Sequence, residues 1–214
     1  LLGTTILDEG WAKPAGEWLL YGQAHAPGGQ AVTQLEVAVR LPQSLKSLYV
    51  FGERQFGFMD QISPPTPFVR CPLSPQLAFG GPGFPENPHG KGASPISSKD
   101  GKSFTPLPNV EYPGDLMHSP RHRPQPAGFW AKSLASPSRL ARLGPFDRRW
   151  MKEDCPDLPA TIAADYFHAA PADQRISGYF QGNETFELKH LHPKTAYYRG
   201  QLPGLRARCF VQRQ

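Results

Sequence analysis

Proline and glycine interrupt this chain so often that a long helix has almost nowhere to form. Between residues 55 and 128 one or the other arrives every few positions, and no 3.6-residue hydrophobic period survives two turns. Proline removes a backbone donor and clashes with the preceding turn, while glycine loses the most backbone entropy on folding, so such a stretch reads as turns and short extended pieces. With 25 prolines and 21 glycines in 214 residues, the composition approaches that of disordered chains. The aromatic residues argue the other way. Thirteen Phe, seven Tyr and four Trp are spread along the sequence, and they supply the large apolar surfaces a core needs. The expectation is a folded, loop-rich single domain over residues 1–214. The first residue is Leu1, and both 1–7 and 206–214 read as the inside of strands, so the chain is expected to lack N- and C-terminal parts of a longer protein.

The regular structure that these interruptions permit is β. Residues 33–41 alternate cleanly, with Leu35, Val37, Val39 and Leu41 on one face and Gln34, Glu36 and Arg40 on the other. That period of two predicts a half-buried antiparallel strand. Runs at 17–25 and 46–54 flank it, separated by the turn Ala26-Pro27-Gly28-Gly29 and by Pro42, which together predict a three-stranded meander. Short strands are expected at 68–73 and 76–79, and a mobile Gly/Ser/Lys-rich loop at 89–104. Ser136-Pro137 and Asp147 each predict the start of a short helix, over 138–143 and 148–153, with Pro156 stopping the second. Two hairpins are expected near the end, 176–180 with 184–192 and 197–202 with 206–211. The fold class is therefore mainly β: an antiparallel β-sandwich or a partly open barrel with long Pro/Gly-rich loops and one or two short helices.

The residue pattern offers little chemistry. No G-x-S-x-G elbow is present, no cysteine sits in a catalytic signature, and the neighbouring carboxylates Asp8-Glu9 and Glu153-Asp154 would face apart on a strand. Gly80-Gly81-Pro82-Gly83 lacks the lysine and following helix of a phosphate cradle and reads as tight turns. His190 and His192 share a strand face, but no third metal ligand lies nearby in sequence, so no metal and no cofactor is expected. The net charge of +5 is carried by short basic runs (121–123, 139–142, 148–149 and 206–213) broken by apolar or acidic residues, which argues against nucleic acid as a partner. Cys71, Cys155 and Cys209 are too few and too far apart for a disulfide framework, and they read as isolated thiols in a reducing cytoplasm. No stretch of about 18 apolar residues exists to span a bilayer.

What stands out instead is a series of phrases: Lys13-Pro14, GQAHAPGG (22–29), VFGER (50–54), AFGG (78–81), NPHGKG (87–92), LPNVEYP (107–113), PAGF (126–129), FDRRW (146–150), DYFHAAPADQR (165–175) and GNE (182–184). In this order they resemble the bacterial domain-of-unknown-function family DUF2169, from about Leu7 to about Pro203. The resemblance implies a non-enzymatic, cytoplasmic adaptor or chaperone of the type VI secretion system. Such a protein holds a toxic effector protein and helps load it onto the spike or tip protein, with no small-molecule substrate, nucleic acid or membrane involved. Two other readings are a structural component of that apparatus and a carbohydrate- or peptidoglycan-acting protein.

The family carries no agreed catalytic residues, so a partner surface has to be read from anchor chemistry. Aromatic residues and arginines dominate protein interfaces. Phe129, Trp130, Arg148, Arg149 and Trp150 form one candidate group, and Phe51, Phe56 and Phe58 another, with the core as the alternative place for these aromatics. The sheet edges expected at 17–25 and 206–211 could also receive a partner strand.

Overall fold

The alternating run becomes the strand Gln34–Leu41, which turns tightly through Pro42 and Gln43 into Ser44–Phe51. In the computed structural model, which describes residues 13–97, 101 and 103–204, this hairpin is the centre of the molecule. Leu35, Val37 and Val39 face inward opposite Val50, Leu48 and Lys46, as the period of two requires. Around the hairpin a five-stranded antiparallel sheet runs in the order Val110–Glu111, Ser44–Phe51, Gln34–Leu41, Thr185–Lys189, Tyr197–Gln201. Four smaller sheets surround it among the described residues, one of them parallel (Phe79–Gly80 with Lys91–Gly92), and no barrel closes among them.

The inner face of the large sheet packs on the short ladder of Gly22–His25 with Arg70–Leu73. Leu35, Val37, Leu48 and Val50 meet Ala24, Cys71 and Leu73 there, and Phe129 completes the cluster. A second, smaller core of Phe56, Phe79, Leu107 and Met117 lies under the Pro/Gly-rich segment. The mainly-β, sandwich-like expectation therefore holds, with unequal layers.

Several local expectations change. The three-stranded meander is really a hairpin, because the run 17–25 divides between two partners. Gly16–Glu17 pairs with Arg175–Ile176, and Gly22–His25 pairs with Arg70–Leu73. Between them the Trp18 and Leu20 N–H groups donate to Gln174 O and Phe129 O, so the backbone leaves any single ladder. The Pro27–Gly29 turn redirects the chain without closing a hairpin. Likewise the hairpin expected at 176–192 is replaced by Thr185–Lys189 with Tyr197–Gln201, while Gln181 and Gly182 form a turn held by the Glu184 carboxylate. The expected partner at 206–211 lies outside the described residues. Residues 76–79 give a 3₁₀ turn, Pro75–Leu77, before the short strand Phe79–Gly80. The loop expected at 89–104 contributes Lys91–Gly92, Ile96–Ser97 and part of Ser103–Pro106 to ladders. The strand at 68–73 stands as Arg70–Leu73.

Both short helices form. The first, α1 (Pro137–Leu140), is shorter than expected, and its Ser136 makes no side-chain cap. The second, α2 (Arg148–Glu153), is capped by Asp147 Oδ1, which accepts from the Arg149 and Trp150 N–H groups at 2.9 and 3.0 Å.

Gly52, in the VFGER phrase, marks where the second hairpin strand leaves the sheet. A Cβ at this position would lie 1.7 Å from the Thr66 carbonyl oxygen. Gly52→Ala is expected to destabilise the protein by about 3 kcal/mol in urea titration, because backbone has to move to accommodate the methyl. Gly22→Ala, which meets nothing within 4 Å, is the matched control and should stay within about 0.5 kcal/mol of the parent.

Candidate functional site

Polar residues of several phrases singled out from sequence turn inward and bind one another. Arg54, closing VFGER, forms a buried ion pair with Glu111 of LPNVEYP, donates to Pro108 O at 2.8 Å and stacks over the Phe51 ring at 3.6 Å. Glu111 also accepts the Met117 N–H at 2.6 Å. Asn109, two residues before, donates to Phe51 O at 3.0 Å. Asn87 of NPHGKG donates to Phe79 O, in AFGG, and to Pro75 O. Gln174 of the 165–175 phrase donates to Phe129 O, in PAGF, and to Trp18 O, each at 3.0 Å. Six of the phrases thus latch together in three pairs: VFGER with LPNVEYP, NPHGKG with AFGG, and the 165–175 phrase with PAGF.

Burial tunes these groups. Taking Glu111 out of water raises its pKa, an effect that Arg54 and the Met117 N–H only partly offset. For Glu17 burial also pushes upward, but Lys13, the Ala170 N–H and His168 Nδ1 (3.1 Å) outweigh it and hold the carboxyl below the ordinary value. Lys46, on the inner sheet face where an apolar residue would be expected, is lowered by burial and partly restored by Asp173 at 2.8 Å. Cys71 lies in the main core, where burial pushes its thiol up to about 11.

Other sequence candidates have structural roles as well. His190 Nδ1 lies 2.8 Å from Glu36 O, and His192 stacks on Tyr198 with centroids 4.7 Å apart. Among the described residues no group of three or more His, Cys, Asp or Glu side chains could hold a metal ion, and no helix is long and apolar enough to cross a membrane. Within the basic run 139–142, Arg139 donates to Tyr166 O and Lys132 O, and Arg142 pairs with Asp165 at 2.6 Å.

The eight residues read as possible partner anchors divide. Phe51, Phe56 and Phe129 are buried, so their rings face the protein's own interior, and Trp130 packs edge-on against Phe129 at 4.8 Å. Arg148 and Arg149 stand exposed on α2, with Arg149 paired to Glu153 at 2.9 Å. Trp150 is half-buried, donates to Asp157 O and meets the exposed Phe146 edge-on at 4.8 Å. Phe58 is 85% exposed. Sequence reasoning missed its neighbour Met59, 79% exposed, and Met151 on α2. A methionine outside any periodic run gives no signal of exposure.

The outer face of the large sheet forms an open cleft of about 500 Å³ lined by Glu36, Arg40, Glu187, Lys189, Tyr197 and Arg199. Its charges largely answer one another, Lys189 pairing with Glu36, and Glu187 lying between Arg40 (3.7 Å) and Arg199 (4.0 Å).

Removing Glu111 would strand a buried guanidinium, so Glu111→Ala is expected to cost about 4 kcal/mol in denaturant unfolding, and Arg54→Met together with Glu111→Leu to recover most of that loss. The pH dependence of Glu17 has the opposite sign to that of Glu111. Because its folded pKa lies below the unfolded value near 4.5, its stabilisation is full above 4.5 and fades as pH falls through the folded value. Unfolding midpoints of Glu17→Gln and the parent should therefore differ at pH 7 and converge in acid.

A family model described as "Uncharacterized protein conserved in bacteria (DUF2169)" matches residues 4–214. No curated protein and no solved structure matches the chain.

Proposed function

Because the chain belongs to the bacterial family DUF2169, we propose that it works by binding, as a non-enzymatic adaptor that holds a toxic effector of a type VI secretion system and helps mount it on the spike or tip protein. The effector role comes from the likeness of the phrases to that family, and the segregation of side chains supports binding over catalysis. Several groups able to move a proton or attack a carbonyl face inward and are bonded: Glu17 with His168, Arg54 with Glu111, Lys46 with Asp173, and Cys71 within the core. The Glu17–His168 pair resembles the base and orienting acid of a hydrolase, yet His168 is fully buried where a substrate has no access. Interface anchors instead reach solvent: Phe58 and Met59 on one turn, and Phe146, Met151 and the two arginines on and beside α2.

An adaptor of this kind operates in the cytoplasm before secretion, needs no cofactor, and has proteins as its only ligands. The decisive experiment is affinity isolation of the tagged full-length protein from the bacterium that encodes it, with retained proteins identified by mass spectrometry. A type VI effector or spike protein among them is the expected result. Recovery of neither overturns the assignment.

A further inference from the structure

The molecule builds one tight turn twice, with opposite chemistry. In the first, Gln30 N–H donates to Pro27 O at 3.2 Å, and the two central residues are Gly28 and Gly29 at φ +60° and +71°. In the second, Gln61 N–H donates to Phe58 O at 3.3 Å, and the central residues are Met59 and Asp60 at φ +54° and +60°. Left-handed backbone at both central positions is the geometry of a type I′ turn, which favours Asn-Gly, Asp-Gly or Gly-Gly. Glycine meets that demand at 28–29. Methionine, whose Cβ crowds its own backbone in this region, is strained at 59.

The surroundings keep the strained turn in place. Gly57 N–H donates to Gln61 O, Ser63 N–H donates to Gln55 O, and the Ser63 hydroxyl accepts from Gln55 N–H. A bridge joins Phe56 to Ile62, Gln55–Phe56 pairs with Ser103–Pro106, and the Phe56 side chain is rooted in the second core. This rigid stem presents two large apolar side chains almost wholly to water. Folding gains nothing from Met59 that glycine would not supply more cheaply. Between residues 55 and 63 the only charge is the carboxylate of Asp60, so the apolar tip carries a single negative group beside it.

We propose that the Phe58–Met59 turn is a docking knob that seats in an apolar pocket of a protein partner, with a basic group at the pocket rim facing Asp60. The stem is pre-formed, so little chain entropy is lost on docking, and the two side chains leave water only when the partner covers them. The identity of the partner rests on the adaptor reading, whereas the role of the turn does not.

The test uses the full chain in three variants and one photo-crosslinker. Met59→Asn with Asp60→Gly installs the pair that the turn prefers and is expected to raise Tm by about 3–6 °C. The same variant, and separately Phe58→Ser, should weaken binding to the effector or spike protein retained by the parent at least tenfold. Asp60→Asn, which removes the charge and suits the left-handed backbone, should weaken it several-fold without lowering Tm. A benzophenone side chain at position 58, in the living bacterium, should give a heterologous protein adduct that is absent when the group is placed at exposed Tyr179. A lowered Tm for the Asn-Gly variant, parent-like binding by all three variants, or crosslinking only to lipid, only to a second copy or to nothing would each overturn the knob. Parent-like binding by the variants would leave the adaptor reading standing. An adduct with a protein that is neither effector nor spike would instead overturn the adaptor reading and keep the knob.

Discussion

The buried pair of Arg54 and Glu111 is the constraint on which the arrangement of the loops depends. It joins the end of the central hairpin to the edge strand Val110–Glu111, and through the Met117 N–H it fixes the start of the next loop. Burying either charge alone would be prohibitive, so the pairing leaves the chain one way to bring these segments together. Arg54 also lies on Phe51 and caps Pro108 O, so a single guanidinium organises an aromatic ring, a carbonyl and a carboxylate. The smaller core of Phe79, Leu107 and Met117 forms beside this joint.

The same logic extends across the molecule. A chain so interrupted cannot satisfy its buried backbone with long ladders, and unpaired buried carbonyls are costly. Side-chain amides take over: Asn87, Asn109 and Gln174 donate to the carbonyls of Phe79, Phe51 and Phe129. Gly80 allows this approach, since a Cβ there would lie 2.1 Å from Asn87 O. Irregular segments held in this way are rigid without being helical or extended. Segment 55–63 is held differently, by backbone bonds between Gly57 and Gln61 and between Ser63 and Gln55, and it too carries exposed apolar groups at fixed positions.

The chain belongs to the DUF2169 family, and three pairs of its phrases are joined by such latches. Arg54, Glu111, Asn87 and Gln174, which read as odd turn punctuation, are halves of long-range joints. Their spacing in sequence reflects where the fold brings segments together, so a motif can be specific without any chemistry at a site. The exposed apolar side chains of Phe58, Met59, Phe146 and Met151 lie outside these joints.

By itself the sequence determined the hairpin Gln34–Leu41 with Ser44–Phe51, both short helix starts and the β class, because alternation, turn residues and Asp147 act over a few neighbouring positions. It read Phe58 as a possible partner anchor together with Phe51, Phe56 and Phe129 and could not separate them, since all four are equally apolar and only the fold buries three and exposes Phe58. Strand partners were decided by tertiary structure. Residues 17–25 look like one strand locally, yet their hydrogen bonds go to segments as distant as Arg70–Leu73 and Arg175–Ile176, and nothing in a local pattern encodes a partner that far away. The left-handed backbone at Met59 was equally hidden. Its residue type argues against such a turn, and only the clamp around it, assembled from the flanking strands and the second core, holds the conformation in place.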